Sequence, residues 1–140
     1  MNAGTGDDIV LGGAGHDFIL GNDGNDVLSG NDGVDDIRGC KGHDLIAGGG
    51  GNDRLQGNAG DDTFIFGQGS GRDRIVDFDR SGDDSLDLTD FGFADFEALS
   101  QNMVQIGDHV LIDLGDGDEI LLLNTNILDI EASDFMLTLS

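Results

Sequence analysis

The feature that most restricts this chain is a nine-residue period. Counted from Ala3, seven consecutive nonapeptides run 3–11, 12–20, 21–29, 30–38, 39–47, 48–56 and 57–65. Position 4 is glycine in all seven: Gly6, Gly15, Gly24, Gly33, Gly42, Gly51 and Gly60. Position 6 is aspartate in all seven: Asp8, Asp17, Asp26, Asp35, Asp44, Asp53 and Asp62. Position 8 is apolar throughout, as Val10, Ile19, Leu28, Ile37, Ile46, Leu55 and Phe64, and position 1 is glycine everywhere except Ala3. A fixed short period is the mark of a solenoid, in which each unit buries its apolar residue only against its neighbours. A solvated glycine-rich linker has no reason to keep an apolar side chain at every ninth position.

The columns have a direct physical reading. Glycines at positions 1 and 4, and often at 2, admit positive φ and a tight turn. The last three residues read x-apolar-x, a short strand with one side chain directed inward. Two nonapeptides make one coil of 18 residues, so odd and even repeats build two facing parallel sheets with position 8 between them. Each turn then aims backbone carbonyls and one carboxylate at the next turn on the same edge. Six to eight hard oxygen ligands at flexible spacing are what calcium takes, whereas magnesium demands a stricter octahedron. Zinc would want His or Cys, which these columns do not offer.

Charge points the same way. The chain carries 29 acidic residues against 6 basic ones, a net charge of −23. A small fold with that charge repels itself unless cations neutralise it, and the regular recurrence of hydrophobic residues argues against disorder. Nucleic acid is excluded as a partner for want of basic patches. A single cysteine, Cys40, rules out an intramolecular disulfide and a multi-cysteine zinc site. Met1-Asn2-Ala3-Gly4 lacks the apolar run of a signal peptide, and no 18-residue apolar stretch is present to span a membrane.

Gly12-Gly13-Ala14-Gly15-His16-Asp17-Phe18-Ile19-Leu20 resembles the G-G-x-G-x-D-x-U-x repeat of RTX (repeats-in-toxin, hemolysin-type) proteins. The resemblance is close over residues 3–65. It continues through Gln68–Val76, an eighth repeat after the inserted Phe66-Gly67, and Asp77-Phe78-Asp79…Asp84…Leu86-Asp87-Leu88 resembles the segment that closes such rolls. It implies an all-β fold, a right-handed parallel β-roll, with each calcium ion held between turns of repeats i and i+2 by both position-6 aspartates and by turn carbonyls. Carried onto this chain, the pairs are Asp8–Asp26, Asp17–Asp35, Asp26–Asp44, Asp35–Asp53 and Asp44–Asp62, with Asp53–Asp73 as a sixth. The carbonyls fall to Gly4, Gly6, Gly13, Gly15, Gly24, Gly33, Gly42, Gly49, Gly51 and Gly60, for five to six ions in all. The family also implies bacterial type I export to the outside, folding there on calcium, and stabilisation of an attached catalytic or adhesive domain. Asn22, Asn31, Cys40 and Asn58 replace the position-2 glycine; Asn tolerates the left-handed region, so the Cys40-Lys41 turn is the expected weak point.

Beyond residue 76 the period fades. Residues 1–76 read as the roll and 77–140 as a C-terminal cap over the exposed last coil. Within the cap, Asp90–Leu99 has a helical pattern with Phe96, Leu99 and Met103 on one side. Val110, Ile112 and Leu114 alternate as a strand, Gly115–Asp118 turns, and Glu119–Leu123 returns as a hairpin. The ending Asp134-Phe135-Met136-Leu137-Thr138-Leu139-Ser140 resembles an uncleaved C-terminal export signal and equally suits a last strand of the cap. Odd repeats turn Ile9, Leu11, Val27, Leu45, Ala47 and Ile65 outward, an apolar face for the cap or a partner domain to cover. Even repeats turn out Arg38, Arg54 and Arg74, a stripe suited to an acidic polysaccharide through bidentate carboxylate pairing, as in an accessory module of an alginate-type epimerase or lyase. His16, His43 and His109 have no nucleophile or paired carboxylate at a catalytic spacing, so no catalytic residue is expected.

Overall fold

The structure, a computed structural model, describes residues 1–78 and 83–138. Its roll strands are β1 (Asn2–Thr5), β2 (Ile9–Ala14), β3 (Phe18–Asp23), β4 (Val27–Asp32), β5 (Asp36–Lys41), β6 (Leu45–Gly50), β7 (Arg54–Ala59), β8 (Thr63–Ile65), β9 (Arg72–Ile75) and β10 (Ser85–Asp87). Odd-numbered strands stack in one parallel sheet and even-numbered strands in another, as an 18-residue coil requires. Strands β2 to β7 are six residues long rather than three, because each runs on through positions 1–3 of the following repeat. Their register shows how. Leu11 pairs with Ser29, and the next pair is Gly13 with Asn31, so the ladder skips position 1 and resumes at a residue with positive φ. Every coil repeats that kink at the same place, and the stack therefore stays in register.

Position 8 fills the space between the sheets. Ile19, Leu28, Ile37, Ile46, Leu55 and Phe64 are sealed from solvent, and Val10 is half-buried at the open end. Full burial of such a side chain stabilises by about 1.5–3 kcal/mol. The core continues into the second half through Phe66, Phe78, Leu86, Leu88, Leu99, Val110, Ile112, Ile120 and Leu122.

The second half lengthens the stack instead of wrapping it. Strand β13 (Asp118–Leu122) lies parallel to β9, with Leu122 opposite Ile75, and β12 (His109–Gly115) and β11 (Met103–Ile106) follow it as an antiparallel meander. On the other sheet β14 (Phe135–Met136) lies parallel to β10. Parallel stacking therefore passes residue 76. The expected helix shrinks to α1 (Phe96–Ser100), capped by the Asp95 carboxylate accepting from the Ala98 N–H at 2.9 Å. Gly92 at φ 71° breaks the run before it, and Met103 heads a strand that the helical pattern concealed. The apolar row of the even-strand sheet stays uncovered: Ile9, Leu11, Val27, Leu45 and Ile65 are exposed. Asp79, Leu139 and Ser140, which entered the closing and export patterns, lie outside the described residues. Among those described, no helix is long and apolar enough to cross a membrane.

Candidate metal centres

The position-6 aspartates form two columns, one along each edge of the roll. Within a column every carboxylate from Asp26 to Asp73 does the same thing. Its Oδ1 accepts the backbone N–H of the aspartate one coil earlier: Asp26 from Asp8, Asp35 from Asp17, Asp44 from Asp26, Asp53 from Asp35, Asp62 from Asp44 and Asp73 from Asp53, all at 2.8–2.9 Å. These are the six pairs expected from the sequence, including the Asp53–Asp73 pair that spans the insertion.

The other carboxylate oxygen has no partner. Oδ2 of Asp8, Asp17, Asp26, Asp35, Asp44, Asp53, Asp62 and Asp73 is buried without a hydrogen bond. Among the described residues, the Ser70 hydroxyl is the one other buried side-chain oxygen in that condition. A buried ionised oxygen without compensation is costly, and here eight recur in register. Burial accordingly pushes the Asp44, Asp53 and Asp62 carboxyls up to about 6 and Asp73 up to about 8. Loss of hydration is the main cause; the carboxylate of the preceding coil adds to it, and the N–H bonds oppose it.

Glycine makes the room. A Cβ on Gly21 would lie 2.6 Å from Asp26 Oδ2 and 2.6 Å from the Gly39 carbonyl of the next coil. Gly12, Gly30 and Gly39 are crowded in the same manner by Asp17 with Gly30 O, Asp35 with Gly48 O, and Asp44 with Gly57 O. The free carboxylate oxygen therefore faces the gap between successive coils, beside a main-chain carbonyl. Position 4 has a second constraint. Gly24, Gly33, Gly42, Gly51 and Gly60 have φ between 116° and 137°, and a Cβ on any of them would lie 1.7–2.0 Å from the position-4 carbonyl one coil earlier. The turn N–H groups of position 4 go to position-3 carbonyls and those of position 7 to position-6 carbonyls, as in Gly24 to Lys41 and Val27 to Asp8. The position-4 carbonyls of Gly6, Gly15, Gly24, Gly33 and Gly42 take part in none of these bonds. The position-2 glycines Gly4, Gly13 and Gly49 are left-handed, and Asn22, Asn31, Cys40 and Asn58 adopt the same conformation at φ 68–84°.

Unpartnered carboxylate oxygens beside carbonyls are a hard-oxygen donor set, which fits calcium. No three His, Cys, Asp or Glu side chains converge among the described residues, so a soft-ligand centre has nothing to stand on. What the bound ion would supply is positive charge between stacked carboxylates.

Position 5, which varies among Asp, His, Asn and Val, also carries hydrogen bonds. Asp7, Asn25, His43 and Asp61 accept in turn from the backbone N–H of Asn25, His43, Asp61 and Asp83 at 2.8–2.9 Å. On the other edge His16 Nδ1 accepts from Val34 N–H and Asn52 from Arg72 N–H. His109 Nδ1 likewise accepts from Asn124 N–H. These histidines act as structural acceptors. The arginine stripe is uneven. Arg38 and Arg54 both engage Asp36 at 3.1 Å, and Arg38 also lies 5.0 Å above the Phe18 ring. Arg74 instead borders a recess of about 370 Å³ with Arg72, Leu111, Glu119 and Leu121.

The profile of the RTX calcium-binding nonapeptide repeat matches residues 2–39 and 41–75, in four copies and over half of the chain. The chain belongs to the RTX calcium-binding repeat family. Among curated relatives, the endo-1,3-1,4-beta-glycanases EglC and ExsH of Rhizobium meliloti (strain 1021) are 38% identical over 77 residues and 34% over 70. Those matches cover 55% and 50% of this chain but 16% and 15% of the relatives, so the RTX chain spans a small fraction of their length. Among solved structures, the extracellular lipase LipA from Serratia marcescens shares the fold at TM-score 0.77 and 23% identity, over 93% of this chain and 21% of that one. The AlgE6R2 subunit of the Azotobacter vinelandii mannuronan C5-epimerase matches at TM-score 0.70 and 26% identity, over 92% of this chain and 91% of that one.

Proposed function

We propose that this RTX chain is a calcium-dependent folding module, a roll with a C-terminal cap that assists type I secretion and stabilises an attached domain. One observation carries the reading: eight buried carboxylate oxygens, in register along two edges, have no hydrogen-bond partner among the described residues. Without a cation, stacked carboxylates oppose the coil and the glycine-rich turns lose much entropy on ordering. With one, each site filled at a hundred times its dissociation constant adds about 2.7 kcal/mol. Five or six such sites reach about 15 kcal/mol, the scale of a whole domain's stability. Sites as weak as those of many extracellular modules leave the chain unfolded inside the cell and fold it outside. The ligands are the position-6 aspartates from Asp8 to Asp73 and the turn carbonyls. The module itself does no catalysis.

Far-UV circular dichroism of the chelated protein, titrated with calcium and separately with magnesium, tests this. The expected result is a coil spectrum that turns cooperatively to β-structure with calcium, far above cytosolic levels, and does not do so with magnesium at equal concentration. A fully folded spectrum in excess chelator would leave calcium as a stiffener and remove the export mechanism.

A second reading, accessory binding of an acidic polysaccharide, draws on the match to nearly the full length of AlgE6R2 and on Arg74 at its recess. Because Arg38 and Arg54 already share Asp36, Arg74→Ala is the substitution expected to weaken uronan binding most. Equal binding by wild type and Arg74→Ala would count against this reading.

A further inference from the structure

The edge made by odd repeats carries one rung more than the repeats predict. Asp62 N–H donates to Asp84 Oδ1 at 3.0 Å, which is the bond that joins every other pair in the columns. Independent marks of register agree. Ser85 N–H donates to the Asp62 carbonyl at 2.8 Å, as Val27, Leu45 and Thr63 donate to Asp8, Asp26 and Asp44. Asp83 N–H donates to Asp61 Oδ1 at 2.8 Å, continuing the position-5 ladder. Ser85, Leu86 and Asp87 pair in parallel with Thr63, Phe64 and Ile65. Residues 83–87 thus stand at positions 5–9 of the coil register, two residues out of phase with the nine-residue period.

We propose that a further calcium ion binds between Asp62 and Asp84, beyond the six pairs read from the sequence. The inference rests on the calcium reading above. Asp62 is 1% exposed and its Oδ2 has no partner. That oxygen is aimed like its equivalents: a Cβ on Gly57 would lie 2.1 Å from it, against 2.2 Å for Gly30, Gly39 and Gly48 from Oδ2 of Asp35, Asp44 and Asp53. Asp84, 4% exposed, supplies the second carboxylate from the coil above. The opposite edge ends differently. There Asp118 accepts Gly71 N–H at 2.8 Å and Gly69 N–H at 2.9 Å, so both of its oxygens close the last turn with backbone donors. The two edges therefore hold four rungs and three. The extra ion joins β8, inside the regular repeats, to β10, which carries β14 of the cap, and so locks the cap to the roll.

Crystals of the calcium-loaded protein, with the calcium anomalous signal mapped, test this directly. The expected map has peaks at the six regular pairs and a seventh between Asp62 and Asp84. Peaks at the regular pairs with none at Asp84 overturn the proposal, whereas no peak at any pair would instead overturn the calcium reading. Native mass spectrometry gives a second readout. Asp84→Asn keeps an Oδ1 acceptor for Asp62 N–H and is expected to hold one ion fewer than wild type at equal free calcium. Asp83→Asn is expected to hold the wild-type number. An ion count unchanged by Asp84→Asn also overturns the proposal.

Discussion

Glycine does two different jobs in this repeat, and a residue-by-residue view separates them. Position-4 glycines need both positive φ and the absence of a Cβ, because the carbonyl of the coil below touches the place where a Cβ would stand. Position-1 glycines are not left-handed; they are empty so that a carboxylate and a carbonyl can enter the same space. Position 2 requires the left-handed conformation, which asparagine accepts with little penalty; at Gly49 a Cβ would in addition lie 2.2 Å from the Asn31 carbonyl. Cys40 accepts it worse. It sits at φ 84°, with its Sγ near the Arg38 carbonyl at 3.8 Å as a weak substitute for a hydrogen bond. A left-handed residue that is neither Gly nor Asn costs about 1–2 kcal/mol. Replacing it by glycine returns roughly 0.5–1 kcal/mol of that to the entropy of the unfolded chain. Cys40→Gly is therefore expected to stabilise the calcium-loaded roll by about 1 kcal/mol, seen as a higher urea midpoint at fixed free calcium with an unchanged slope. A midpoint at or below wild type would show that the fifth turn is not strained.

The carboxylate column behaves as one element, and its protons report that. Because burial raises the Asp44, Asp53 and Asp62 carboxyls to about 6 and Asp73 to about 8, the calcium-free fold binds protons more tightly than the unfolded chain does. Their contribution then favours the fold at low pH and is lost as pH rises, first through 6 and then through 8. In calcium-free buffer the β-signal is expected to grow on going from pH 8.5 to 5. With calcium the sign reverses, since the ion competes with protons for the same oxygens and its apparent affinity should rise as pH goes from 5 to 8.5. Circular dichroism in metal-stripped buffer checks the first half and calorimetry at several pH values the second; a calcium-free protein more ordered at pH 8.5 than at 5 would contradict the assignment. These aspartates were legible in the sequence because a strict period marks them. Asp84 was not, although Gly82-Asp83-Asp84-Ser85-Leu86-Asp87 keeps the order of positions 4–9, because two inserted residues hide the phase and the preceding glycines are absent. Strand β11 was missed for another reason: Met103 completes a helical spacing with Phe96 and Leu99, and only pairing with β12 turns Val104 and its neighbours into a strand. The position-5 ladder has no sequence signature at all, since Asp, Asn and His serve equally as acceptors.

At the scale of the whole molecule the controlling quantity is charge. The chain carries −23 at neutral pH, and seven divalent ions, with fourteen positive charges, would leave nine negative ones. Self-repulsion of that initial size favours expansion, while the buried position-8 column favours collapse, and the ions decide between them. A compact chain of this length has a radius of gyration of about 14 Å, against about 39 Å unfolded, and an elongated roll falls somewhat above the compact value. Small-angle scattering at low ionic strength is therefore expected to show contraction from about 39 Å toward 15–20 Å as calcium is added. Salt separates screening from ligation. If screening alone drove the change, raising monovalent salt to about 1 M, where the Debye length is about 3 Å, would contract the chelated chain as fully as calcium does. Ligation predicts only partial contraction in salt, because screening cannot give the buried Oδ2 atoms a partner and the coils cannot close over them unpaired.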